Sequence, residues 1–156
     1  MIKLSGSYRL ASISLPEYGF QLKSEDFKRS GDDFTIWFLE GVLKNNPNYV
    51  DCLLYLGNAY TARGRYKDGL KVDMKLAELQ PGDPIVRYNL ACSYCLVGDL
   101  DAAIRVLEIA VALGYEDVRH LENDKDLEGL RGDKRYWELL DRIKGKGTVT
   151  EDKEGK

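Results

Sequence analysis

The sequence predicts an all-α protein, an α-solenoid of stacked antiparallel helix pairs with a single N-terminal helix and a C-terminal capping helix. Three observations carry that expectation. The chain matches itself when shifted so that Pro47 falls on Pro81. The matched apolar positions have helical spacing. Glycine and proline fall where helix pairs must turn.

The shift from Pro47 to Pro81 is 34 positions (81 − 47), and it also lays Leu56 on Leu90, Tyr60 on Tyr94, Gly64 on Gly98, Leu70 on Ile104 and Leu79 on Leu113. Small residues coincide as well: Gly57 with Ala91, Gly69 with Ala103. Leu56 and Tyr60 lie one helical turn apart and share a face. Gly57 and Gly69 are small where two helices cross. Gly64 and Gly98 suit the left-handed backbone that ends a helix. Pro47 and Pro81 stop the preceding helix and mark the passage to the next unit.

Taken in chain order, residues 1–31 are rich in Ser and Gly and read as an irregular arm, in which SISL and YGFQL alternate loosely enough to be extended. A repeat domain follows over 32–144. It opens with a helix over about 33–46, whose apolar side is Ile36, Leu39 and Leu43. In the repeat register this is a second helix whose first partner is missing. The full units are expected at about 48–83 and 84–117. Asn48 is the expected cap of the first; Asp83, followed by Pro84, caps the second, and Asp99 opens its second helix. Residues 118–144 form a capping segment: a short helix at 118–123, a turn-rich connection anchored by Leu127 and Leu130, and a last helix at 134–144. Asp133 caps that helix, and Tyr136, Trp137, Leu139, Leu140 and Ile143 form its stripe. The charged tail 145–156 is expected to be disordered.

The stretches LLYLGNAYTARGRYKDGLKVDMKLAELQPGD (53–83) and YNLACSYCLVGDLDAAIRVLEIAVALGY (88–115) resemble the tetratricopeptide repeat. The resemblance covers roughly 34–123. Three positions depart from it: Asp73 stands where the family usually has a large apolar residue, Arg87 replaces an apolar residue or Trp, and Tyr115 replaces the closing proline. The resemblance implies a concave groove lined by the first helices of successive units. By helical phase, Asp51, Leu54, Tyr55, Asn58 and Thr61 face it from one unit, and Ile85, Tyr88, Asn89, Cys92 and Cys95 from the next. Arg119 and Asn123 follow from the third helix. Some family members grip a C-terminal carboxylate there with two asparagines and three cations. Asn58 and Asn89 match the asparagines and Arg119 can fill one basic place, but Leu54 and Asn123 stand at the other two. Without those cations most of the charge-assisted bonding is lost.

Function follows as an expectation. The groove residues Asp51, Leu54, Tyr55, Asn58, Ile85, Tyr88, Asn89, Cys92 and Arg119 are candidates for binding a peptide or protein segment, which makes the chain a non-catalytic adaptor or scaffold. The alternative is a self-assembling structural protein whose N-terminal arm, carrying Leu10, Ile13, Leu15, Tyr18 and Phe20, fills the groove or joins copies into a homo-oligomer. Nucleic acid is not an expected partner, because 23 basic and 26 acidic residues are interleaved to a net charge of −3. Neither is a membrane, because no apolar run reaches the ~20 residues of a spanning helix. The start of the chain does not read as a signal peptide, and three cysteines suit a reducing compartment, so a cytoplasmic location is expected. A single histidine, His120, offers no catalytic triad. Cys92 and Cys95 fall mid-helix, as packing residues rather than as a redox pair or a zinc site. No metal and no cofactor is expected.

Overall fold

A computed structural model of the chain describes residues 12–15, 20–23 and 31–147. Its helices begin with the period read from the sequence. The first helices of successive units are α2 (Val50–Ala62), α4 (Pro84–Val97) and α6 (Val118–Asn123), whose starts are 34 residues apart (84 − 50 and 118 − 84). The second helices are α3 (Tyr66–Leu79), α5 (Leu100–Ala112) and α7 (Lys134–Gly147), again 34 apart (100 − 66 and 134 − 100). A preceding α1 (Gly31–Asn45) packs on α2 as the unpaired second helix of an incomplete unit. Each helix packs on the next from α1 to α5.

The third unit keeps this register but breaks its first helix. After α6 the chain leaves the helix at Asp124 and resumes as a 3₁₀ segment, Lys125–Leu130, which packs on α4 and α5. Leu121, Leu127 and Leu130 are fully buried there. The segment beyond 117 is thus a third helix pair in register, with its first helix in two pieces.

Capping explains the sharp starts. Asp83 accepts from the backbone N–H of Ile85 at 2.7 Å and of Val86 at 3.2 Å, with Pro84 at the first helical position. Asp99 accepts from Ala102 at 3.0 Å, Asp117 from His120 at 2.9 Å and Asp133 from Arg135 at 2.9 Å. Each bond satisfies a donor that the helix itself leaves unpaired. The expected cap at Asn48 is not used. Tyr49 occupies the cap of α2, and no side chain bonds its first N–H groups. Gly64 and Gly98 end α2 and α4 with φ of 68° and 87°, the left-handed region that glycine enters without a steric cost.

Two stretches of the arm whose alternation allows an extended backbone are extended. Ser12–Leu15 (β1) and Phe20–Lys23 (β2) pair antiparallel, Ser12 opposite Lys23 and Leu15 opposite Phe20. SISL and FQLK are short alternating runs, and their backbone groups find partners in each other. The remainder of the arm, the side chains on which the self-assembly alternative rests, and the tail from 148 lie outside the described residues.

The core is two clusters in series. One joins α1 to α4 through Ile36, Leu53, Leu56, Val72, Leu76 and Leu90; the other joins α4 to α7 through Ala103, Ile104, Leu107, Leu121, Tyr136 and Leu140. Tyr94 and Val106 pack against both. Each pair therefore covers its neighbour's apolar face, as a linear array requires. Tyr136 is fully buried and donates its hydroxyl to the Leu121 carbonyl at 2.6 Å, which ties α7 to α6. Tyr136→Phe removes that donor and strands a buried carbonyl. The expected cost is about 1–2 kcal/mol in urea unfolding with the slope unchanged. A wild-type midpoint would show that the hydroxyl contributes nothing.

Candidate functional site

The inner helices enclose a hollow of about 160 Å³. Asn58 and Thr61 reach it from α2, and Asp73 from α3. Tyr88, Asn89, Cys92, Ser93 and Leu96 come from α4, His120 from α6, and Asp124 and Asp126 from the helix break.

Asp124 organises one wall. Its backbone is extended, with φ −70° and ψ 124°, so its side chain turns back toward the chain that follows. One carboxylate oxygen accepts the Asp126 N–H at 2.9 Å and starts the 3₁₀ segment. The other accepts the Tyr88 hydroxyl in a short hydrogen bond and the Cys92 thiol at 3.8 Å, with His120 Nε2 3.7 Å away. Behind it, Arg131 donates to the Asp124 carbonyl at 3.3 Å. Tyr115, in the place of the family's closing proline, stacks flat on Tyr88 with ring centroids 4.4 Å apart. Burial first, then the neighbouring Cys92 and Asp124, push the Tyr88 hydroxyl far above the ordinary tyrosine range. Burial, then Asp124, push the Cys92 thiol up as well. Cys92 is therefore held as a thiol and not as the thiolate that nucleophilic or metal chemistry needs. Among the described residues no group of three or more His, Cys, Asp or Glu side chains is placed to hold a metal.

Asp73 forms the floor and is 8% exposed. Its Oδ2 accepts the Ser93 hydroxyl at 2.5 Å, which bridges α3 to α4. Burial outweighs that bond and pushes its carboxyl up to about 6.

The structure brings Asn58, Thr61, Tyr88, Asn89 and Cys92 together in the hollow and leaves the other sequence candidates outside its lining. Tyr88 and Cys92 are buried wall residues, with Tyr88 5% exposed. Tyr55 and Ile85 are 68% and 59% exposed on α2 and α4. Asp51 is exposed, and Leu54 is half-buried against the first core cluster. Arg119 is exposed on α6, in a shallow depression with Asp117, His120 and Asn123. Sequence reasoning missed Asp73, Ser93, Asp124 and Asp126 as site residues. Asp73 carried a signal, being charged at a position that repeats as Leu107 in the next unit (107 − 73 = 34). Asp124 and Asp126 carried none beyond a turn-rich composition.

The raised carboxyl of Asp73 has a consequence for stability. Between about pH 4 and pH 6 the folded chain holds this proton while the unfolded chain has lost it, so stability falls as pH rises through that window. Asp73→Asn keeps the acceptor for Ser93 and removes the charge. The variant is expected to be more stable at neutral pH, by at most about 3 kcal/mol at roughly 1.4 kcal/mol per pK unit, and to lose that part of the pH dependence. Urea titrations at pH 4 and pH 7 measure it; identical pH profiles for the two proteins would contradict it.

No family model matches the chain. Superkiller protein 3 of Saccharomyces cerevisiae is 35% identical over 81 residues, which cover 52% of this chain and 6% of that protein. The peroxisomal targeting signal receptor of Komagataella phaffii is 31% identical over 106 residues, covering 65% of this chain and 18% of the receptor. The chain spans about a quarter or less of the length of the curated relatives it matches. Among solved structures, MamA from Desulfovibrio magneticus RS-1 has the same fold at 20% identity, with a TM-score of 0.61 over 77% of this chain and 68% of that one. Helical pairs that start 34 residues apart, together with these likenesses, show a helical-repeat fold of the tetratricopeptide type.

Proposed function

We propose that the chain is a non-catalytic, cytoplasmic adaptor that takes an extended segment of a protein partner in its concave groove. The observation that carries this reading is the pair Asn58 and Asn89. They stand on neighbouring first helices at the lip of one hollow, and neither side-chain amide is bonded to protein among the described residues. Each amide offers an acceptor and two donors, the set that an extended backbone presents in return. Exposed Tyr55 and Ile85 extend the same helices' surface with apolar area. The three buried cysteines are free thiols, which suits a reducing compartment. The relative named as a receptor for a targeting signal is consistent with a polypeptide ligand. A carboxylate-gripping groove has less support, because Asp73, Asp124 and Asp126 line the hollow and no lysine or arginine does.

The test is the double variant Asn58→Ala, Asn89→Ala. Tyr88 is unsuitable because it is buried and braced by Tyr115 and Asp124. Loss of two or more hydrogen bonds predicts about tenfold weaker partner capture from native lysate, scored by mass spectrometry, with the helical dichroism and melting midpoint retained. Undiminished recovery of the same partners by the double variant would refute the groove assignment.

A further inference from the structure

We infer that the groove selects a positively charged side chain: a lysine or arginine of the bound segment enters the hollow and is held by Asp73 and Asp126. The inference rests on the groove reading above and gives the partner a chemistry.

Charge is the first argument. Three carboxylates line the hollow, and His120 at its rim is the sole basic side chain among the lining residues. Arg131 lies behind the wall, where it donates to the Asp124 carbonyl and pairs with Glu128 at 3.2 Å. Arg119 is exposed on α6 and is not part of the lining.

Unused bonding capacity is the second argument, and it is independent of the first. Asp124 is fully engaged, with Tyr88, Cys92 and the Asp126 N–H on its two oxygens. The Asp126 carboxylate accepts no hydrogen bond among the described residues. Asp73 is more than nine-tenths buried, yet Ser93 serves one of its oxygens and no donor reaches the other. That second oxygen is not sealed in the core, since among the described residues the buried side-chain atom left without a partner is Arg131 Nε; it is reached from the hollow that Asp73 lines. The equivalent residue of the next unit, Leu107, is apolar and fully buried. An ammonium or guanidinium group would supply the missing donors, and the cavity is large enough for such a head group. The Tyr88 and Leu96 side chains would line its alkyl stem.

Charge-assisted hydrogen bonds of this kind correspond to roughly ten- to a hundredfold in affinity. The probes are fluorescein-labelled peptide libraries with randomised flanks and one fixed central residue: lysine, arginine, Nε-acetyl-lysine or glutamate. Their binding to the full chain is read by fluorescence anisotropy. The lysine or arginine library is expected to bind about tenfold or more tighter than the acetyl-lysine and glutamate libraries, with the preference shrinking at high salt. Asp126→Asn and Asp73→Asn should each reduce that preference several-fold, Asp73→Asn doing so while its melting point rises. Asp141→Asn, exposed on α7 and not part of the lining, should leave it unchanged. Equal binding of the basic and acetylated libraries would overturn the charge assignment, as would a preference insensitive to Asp126→Asn and Asp73→Asn. If all libraries bind alike and all are lost in the Asn58→Ala, Asn89→Ala variant, the charge reading falls and the groove stands. If none binds, both fall.

Discussion

At the crossing of α2 and α3, a β-carbon added to Gly69 would lie 3.2 Å from Thr61 Oγ1 and 3.6 Å from the Gly57 carbonyl oxygen. One added to Gly57 would lie 3.0 Å from the Asp73 carboxylate. The helices of this pair therefore touch almost backbone to backbone. In the next pair Ala91 and Ala103 take the same register and are fully buried. This close approach sets the rest of the structure. It puts the inner face of α3 within reach of the groove, so a side chain at 73 belongs to both the pair interface and the hollow. It also fixes how far apart successive first helices stand, and so the size of the space between Asn58 and Asn89.

The third unit shows what happens when that geometry is met by a different sequence. A continuous first helix from 118 to 130 would match α2 and α4 in length. Instead Asp124 competes for the backbone: its side chain takes the Asp126 N–H, and a helix whose donor is claimed locally ends there. The chain then continues as 3₁₀ and drives Leu127 and Leu130 against α4 and α5. The break thus serves packing and the site together. The same carboxylate that stops the helix anchors Tyr88 and brings Asp126 to the hollow. A regular helix would have presented an unbroken ridge there.

The fold was largely legible in the sequence because its determinants are local and repeat. Period, small residues at crossings, aspartate caps and the glycines that end α2 and α4 each depend on near neighbours in the chain. Where the reading went astray, the cause was also physical. Asn48 has the right chemistry for a cap, but α2 begins at Val50 behind Tyr49. The arm's β1–β2 pairing depends on register between two short strands, which the loose alternation of SISL and YGFQL allows but does not fix. The site was legible in part. Helical phase brought Asn58, Thr61, Tyr88, Asn89 and Cys92 to one place, yet phase says nothing of depth, and Tyr88 and Cys92 are walls rather than contact surface. Asp73 was noticed as a departure but not as a lining residue, because its place depends on how α3 leans into the groove. Asp124 and Asp126 were hidden entirely, since their position follows from a break that composition does not locate.

Asp73 joins these strands of argument. In the isolated chain its burial is unfavourable, and the single bond from Ser93 does not offset it. A neutral or apolar residue would stabilise the pair, as Leu107 does one unit later. A stacked array can carry such a residue because each unit leans on two neighbours, so a local cost is spread over both core clusters through Tyr94 and Val106. The acid is then available to a ligand from the hollow: it is 8% exposed, is fixed by Ser93, and has less solvation to lose than a surface carboxylate when a cation arrives. A carboxylate on the exposed face of α2, such as Asp51, would have to shed its hydration and order its side chain at the moment of binding. The same residue that weakens the fold is therefore the one best prepared to discriminate charge, and both properties come from the closeness of the α2–α3 crossing that holds it there.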